Sequence, residues 1–424
     1  MTHRSRSGGP QKQRGGKKKQ PTRKLHHPPP PPVQEETDEL PSLRSAVFLD
    51  TPSDEEILKL VHHALRGTLD SYEFSATVQK VKGLLYDKKW LEVFTDQTLL
   101  ESYAGRWVPS RGCCYRELFA HLGAVRKLFV VEQAVSGETP DSDSDEERQD
   151  EEEEEESAQA GPSTGNAQPG DQRATGSDPS TDSPPASITN ILSLGGGAAS
   201  ELLAVASLVR ASQALGTKTP SPSVDRKGKS PVKWNWTGVD IGAWDTVIGK
   251  FRSSLQSEWE LEDDALGVDF IQADLLAPLA PPSPEGETST PTFPPIDLGK
   301  VVTDLKPDLT TILFTLTELL TQSRPATISL LRSLTAHTPS GSLLLVADSA
   351  SDISEFEMGS SGRKWPIYMI LDTILLGPPG STSAEWECVR KEDSRWYRLP
   401  AGVGANWPVK LENTRYWYRL YRKV

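Results

Sequence analysis

The chain has 424 residues, of which 36% are hydrophobic and 25% charged, and its 32 glycines and 34 prolines mark stretches too poor in apolar side chains to fold alone. The net charge of −13 hides two opposed segments: residues 1–27 carry nine Lys or Arg and no acid, whereas 141–156 carry twelve Asp or Glu against one Arg. The remainder is still acidic, which excludes a strongly basic folded domain. No apolar run reaches the ~18 residues of a membrane span, the basic N-terminus has no apolar signal region, and three cysteines, two of them adjacent, make neither a disulfide framework nor a four-thiolate zinc site; a soluble, reduced, intracellular protein is expected.

Residues 1–52 are basic and then proline-rich, the composition of a disordered arm that attracts polyanions or serves as a nuclear address. Order is expected from Ser53, where Ser-Asp-Glu-Glu forms a capping box ahead of the apolar stripe Ile57, Leu58, Leu60, Val61, Ala64 and Leu65, with Gly67 as a stop. Three further helical patterns run through Phe74–Leu85, Trp90–Tyr103 and Tyr115–Leu122, so 53–132 reads as a small all-helical module. Between the last two lies a segment with Arg106, Trp107 and Arg111, expected either to grip RNA phosphate and base or to be an inter-helix loop packed by Trp107. Residues 133–187 form an acidic, then Ser/Pro/Gly-rich linker.

Strand-like and helical patterns alternate over 188–424, which indicates an α/β domain with a largely parallel sheet. Strands are expected at 191–194, 236–240, 268–273, 311–315 and 342–348, with Pro/Ser-rich insertions at 211–230 and 278–299. A final pair at 386–391 and 413–423 has no helix between its members and is expected to pair antiparallel at the sheet edge. After the first strand, Gly195, Gly196 and Gly197 lead into a helix whose N-terminus offers free N–H groups to a ligand. Asp240 ends the second strand, where a carboxylate accepts ribose hydroxyls. Asp274 ends the third, where it accepts from an adenine amino group while Leu275 covers the ring. Ser200 takes the place of the third glycine of a dinucleotide fingerprint, and S-adenosylmethionine has no pyrophosphate to need it. The expected fold is thus a Rossmann-like class I methyltransferase sheet with an antiparallel C-terminal strand pair, preceded by the helical module.

Two groups of segments carry a resemblance. The first is Tyr103–Tyr115, Leu192–Glu201, Thr237–Asp240, Gln272–Leu275 and Leu313–Leu319; the second is Leu343–Ser349, Ser394–Pro400 and Leu411–Tyr416. Together they resemble the fungal family of large-subunit (25S) rRNA uridine-N3 methyltransferases, with Thr317 standing where that family usually has Asn. The resemblance implies S-adenosylmethionine as cofactor, large-subunit rRNA or a pre-ribosome as partner, a nucleolar protein, and no metal; a monomer is expected. Loss of the uridine N3 proton calls for a base, for which Glu318 and Asp348 are candidates, with Asp352 behind, while Thr315 and Ser349 can hydrogen-bond the uracil carbonyls. Arg395, Trp396, Arg398 and Arg415 interleave charge with aromatic surface as single-stranded RNA requires, although a final strand with one buried aromatic face and outward arginines fits as well. A methyltransferase of protein or small molecules, or a ribosome-assembly factor that kept the fold without the activity, remain the alternatives.

Overall fold

The capping box forms as the sequence requires: the Ser53 backbone N–H donates to Glu56 Oε2 at 2.8 Å and the Glu56 N–H to Ser53 Oγ at 3.3 Å, starting helix α1 (Asp54–Ala64). A computed structural model describes residues 51–130, 188–218, 233–278, 293–350, 355–358, 363–377 and 384–424. Nearly all of the basic arm, the acidic linker, most of both insertions and Asp352 lie outside the described residues. Gly67 does not end α1, which stops at Ala64; it lies inside a separate turn, α2 (Arg66–Leu69). Helices α3 (Phe74–Tyr86) and α4 (Trp90–Phe94) follow.

The largest departure from expectation is α5 (Gln97–His121), a single 25-residue helix that absorbs the supposed loop around Trp107. Inside it, Pro109 cannot donate to the carbonyl four residues back, a loss that costs about 3 kcal/mol in an ordinary helix. That carbonyl belongs to Gly105, and it accepts instead from the indole N–H of Trp407 at 3.0 Å. A short α6 (Gly123–Lys127) closes the segment. These helices share one hydrophobic cluster with the sheet domain, in which Ile57, Leu100, Val108 and Leu118 join Leu203, Phe251 and Tyr418. The approach is close: a Cβ on Gly112 would stand 3.2 Å from Leu203 Cδ1.

The sheet is built from β1 (Ile188–Leu194), β2 (Lys233–Asp240), β3 (Leu266–Gln272), β4 (Leu309–Leu313), β5 (Leu343–Ser349), β8 (Trp386–Tyr397) and β9 (Thr414–Lys423), in the order β3-β2-β1-β4-β5-β9-β8. The first five are parallel, and β9 enters antiparallel between β5 and β8. This is the mixed seven-stranded, class I methyltransferase-like sheet that the sequence predicts. Around it run α7 (Ser200–Lys218), α8 (Asp245–Trp259), α9 (Leu298–Leu305), α10 (Leu316–Gln322), α11 (Arg324–His337) and α12 (Ile367–Leu376). The insertions are shorter than expected, because α7 continues to Lys218 and α9 begins at Leu298. A hairpin of β6 (Glu355–Met358) and β7 (Arg363–Pro366) precedes α12.

Strand β9 keeps its alternation but buries both faces: Tyr416, Tyr418 and Leu420 join one hydrophobic cluster, Trp417 and Tyr421 the other. Arg419 is 2% exposed, pairs with Asp372 and Asp393 at 3.2 and 2.6 Å, and lies over the Tyr368 ring. Interior arginine survives there because acids on α12 and β8 meet it. Among the described residues no helix is long and apolar enough to cross a membrane, and no group of three or more His, Cys, Asp or Glu has metal-holding geometry.

Candidate cofactor and substrate site

The strand order reverses between β1 and β4, and loops diverging at such a point leave a crevice at the C-terminal sheet edge. Gly195, with φ of +81°, makes the turn out of β1, and its N–H donates to the Val239 carbonyl at 2.7 Å. The glycines are also demanded by the protein's own packing. A Cβ on Gly195 would come within 2.2 Å of Thr315 Oγ1, and one on Gly197 within 1.9 Å of the Trp244 ring. Gly195 lines the crevice, while Gly196 and Gly197 are not among its lining residues.

Asp240 reaches the crevice from the end of β2. One carboxylate oxygen accepts from the Gly242 N–H at 2.9 Å and the other from the Gly197 N–H at 3.1 Å, which fixes the group and leaves lone pairs for a ligand. Burial raises its pKa, a rise opposed by the Gly242 N–H, Trp244 and the Gly197 N–H. Beyond β3, Ala273, Asp274 and Leu275 line the crevice, with Asp274 Oδ1 accepting from the Leu276 N–H at 2.8 Å.

Phe314, Thr315 and Glu318 form the opposite wall. Phe314 has φ of +57°, a left-handed conformation costly for a bulky residue, while its N–H prolongs the β4–β5 ladder to the Ala347 carbonyl at 2.7 Å. The Thr315 hydroxyl donates to the Leu313 carbonyl at 3.2 Å. Glu318, on α10, accepts from Gln322, and its carboxyl is pushed up to about 7 by burial first and then by the charge of Asp240. Asp348 does not line the crevice. It is 4% exposed, and its two oxygens accept the N–H groups of Thr317 and Ser349 at 2.8 and 2.7 Å, so it anchors the start of α10.

The N-terminal helices supply the rest of the lining: Phe94 from α4, and Tyr103, Arg111 and Tyr115 from α5. These residues, with Glu201, Trp244 and Gln322, were not singled out as ligand contacts from the sequence, and Arg111 was expected to face RNA. Glu201 was the most readable of them, an acid in the first turn after the glycine loop. It is buried, and that burial pushes its carboxyl up to about 8. The helical state of 97–121 turns the other expected RNA contacts inward as well. Arg106 is 1% exposed and paired with Glu412, and Trp107 stacks on Tyr103 with ring centroids 4.6 Å apart. Arg395 pairs with Glu117 and Glu392. Trp396, 50% exposed, stands out from the surface together with the exposed Arg398 and Arg415, whose guanidinium groups lie 5.2 and 5.9 Å from its ring.

The crevice suits a sulfonium nucleoside. It offers fixed carboxylates at the ends of β2 and β3 and aromatic side chains from Phe94, Tyr103, Tyr115, Trp244 and Phe314. A family model described as "Putative SAM-dependent methyltransferase" matches residues 61–422. The chain belongs to this family. Its cofactor is S-adenosylmethionine, and the protein is a methyltransferase dependent on it. A Saccharomyces cerevisiae protein, 25S rRNA (uridine(2843)-N(3))-methyltransferase, is 29% identical to this methyltransferase over 329 residues, which cover 76% of this chain and 71% of the yeast one. Among solved structures, a SAM-dependent methyltransferase of Methanosarcina mazei has a TM-score of 0.30 at 11% identity, covering 55% of this chain and 92% of that one. The N-methyltransferase NodS of Bradyrhizobium japonicum, in complex with S-adenosyl-L-homocysteine, has a TM-score of 0.24 at 12% identity, covering 56% and 79%.

Proposed function

We propose that this methyltransferase methylates N3 of a uridine in large-subunit ribosomal RNA, acting in the nucleolus. The observation that carries the reading is the 29% identity, over three quarters of the chain, to the yeast rRNA uridine-N3 methyltransferase. The geometry of the crevice supports it. Asp240 takes the ribose hydroxyls of the cofactor, Asp274 the adenine amino group, and Leu275 packs against the base. The bound cofactor supplies an activated methyl group; the protein supplies position and a base.

Uridine N3 carries a weakly acidic imide proton that must leave as the new C–N bond forms. Glu318, with its carboxyl near 7, is present in both protonation states around neutral pH and takes that proton. Thr315 lies beside it on the same wall, within the lining that faces an incoming base. The N3 edge is occupied in a paired helix, so the uridine enters unpaired or flipped out. Trp396 between Arg398 and Arg415 offers a stacking platform flanked by phosphate-binding charge. Trp396→Ala is expected to weaken RNA binding by about 1–3 kcal/mol while leaving cofactor affinity unchanged; filter binding and calorimetry measure the two.

The deciding experiment incubates the full chain with labelled S-adenosylmethionine and unmodified large-subunit rRNA, then maps the label by nuclease digestion and mass spectrometry. Label recovered as 3-methyluridine is the expected result. Cofactor binding without label in RNA would exclude the RNA substrate, and label in accompanying protein would move the activity to a protein target.

A further inference from the structure

Arg111 projects from α5, a helix of the N-terminal segment, into the crevice at the sheet edge. Its Nη1 donates to the Tyr103 phenolic oxygen at 2.8 Å, and the guanidinium lies 5.2 Å from the centre of the Phe314 ring and 5.9 Å from that of Tyr103. Two aromatic faces therefore hold it in place. A guanidinium has five N–H donors, and no carboxylate among the described residues lies within ion-pair distance of this one. A partly buried cation with no ion pair of its own, answered only by the more distant charges of Glu201, Glu318 and Asp348, leaves donors open to a ligand that brings an anion.

The charges of the crevice say what kind of anion. Arg111 is the one cation among the lining residues, facing the carboxyl groups of Glu201, Asp240, Asp274 and Glu318. S-Adenosylmethionine carries two positive charges, the sulfonium and the ammonium, and one negative charge, the carboxylate. Asp240 and Asp274 are taken by ribose and adenine, and the one arginine of the lining is left to answer the cofactor's one carboxylate. We propose that Arg111 binds the carboxylate of the cofactor's methionine moiety, so that the N-terminal helices complete the cofactor site. This assignment rests on reading the crevice as the cofactor pocket.

The test compares two nucleosides that differ at one end. S-Adenosylhomocysteine carries the amino-acid group; 5′-deoxy-5′-methylthioadenosine keeps the adenosine and the thioether but lacks it. Calorimetry on the full chain is expected to show that Arg111→Met weakens S-adenosylhomocysteine binding by roughly 10- to 150-fold, the range of a lost charge-assisted contact. Affinity for methylthioadenosine is expected to stay within about twofold, and Arg111→Lys to recover part of the loss. Equal loss for both ligands, in variants with wild-type circular dichroism and unfolding midpoints, overturns the proposal in favour of a packing role. Unchanged S-adenosylhomocysteine binding with weakened RNA binding overturns it in favour of a phosphate contact. Failure of the wild type to bind S-adenosylhomocysteine overturns the pocket reading itself.

Discussion

Two aspartates lie at the C-terminal ends of parallel strands in the one sheet, Asp240 on β2 and Asp348 on β5, and each accepts two backbone N–H groups near the start of a loop or helix. Burial raises the pKa of both. They differ in what remains open. Asp240 faces the crevice and is partly exposed there, whereas Asp348 is sealed beneath α10. Residue type and strand-end position are thus not enough to assign a role; the direction left for the second pair of lone pairs decides it. In the first region the backbone contacts fix a carboxylate that stays open to the crevice. In the second they hold the helix that carries Glu318.

The widest separation between the two regions is expected at Glu318. Glu318→Gln is expected to lower kcat by about 10²- to 10⁴-fold, the usual worth of a general base. Wild-type turnover is expected to rise with pH and level off above about 7, as the carboxyl ionises, and the residual activity of the variant to lose this step; initial rates across pH measure both. The linkage to folding has the opposite sign. Glu318 and Glu201 hold their protons up to about 7 and about 8 when folded, against an ordinary 4.5, so the ligand-free chain binds more protons folded than unfolded. Its stability is therefore expected to fall as pH rises from the unfolded value through this range, and less steeply in Glu318→Gln.

Next comes Asp240→Ala, expected to weaken S-adenosylhomocysteine binding by about 1–3 kcal/mol, the cost of leaving polar partners unmet. Unchanged affinity would remove Asp240 from the site and dissolve the contrast with Asp348. The smallest effect is expected from Asp348→Ala, a loss of about 0.5–2 kcal/mol in urea unfolding, as for a lost helix cap, with nearly unchanged cofactor affinity. A large loss of affinity with little loss of stability would give Asp348 the role assigned to Asp240.

Period and punctuation made the sheet readable: short apolar runs, glycines after the first, and aspartates closing the second and third placed β1–β3 correctly. The final strand pair was equally plain because no helical pattern separates its members. What failed was local punctuation overridden at long range. The stretch 103–111 reads locally as a loop, and Trp407, 302 residues away from Gly105, meets the carbonyl that Pro109 leaves open in the helix. That misreading carried Arg106, Trp107 and Arg111 to the wrong surface. Seven-residue α10 was too short for periodicity to show, and with it went the distinction between Glu318 in the crevice and Asp348 beneath it.

The bond from Trp407 to Gly105 also bears on synthesis. Gly105 and Trp407 are 302 residues apart, so the proline-bearing turn of the helix roofing the crevice cannot be completed until that tryptophan has been made. Completion of this turn is a non-local event, and the roof helix is expected to gain its full stability only once the segment around Trp407 packs against it.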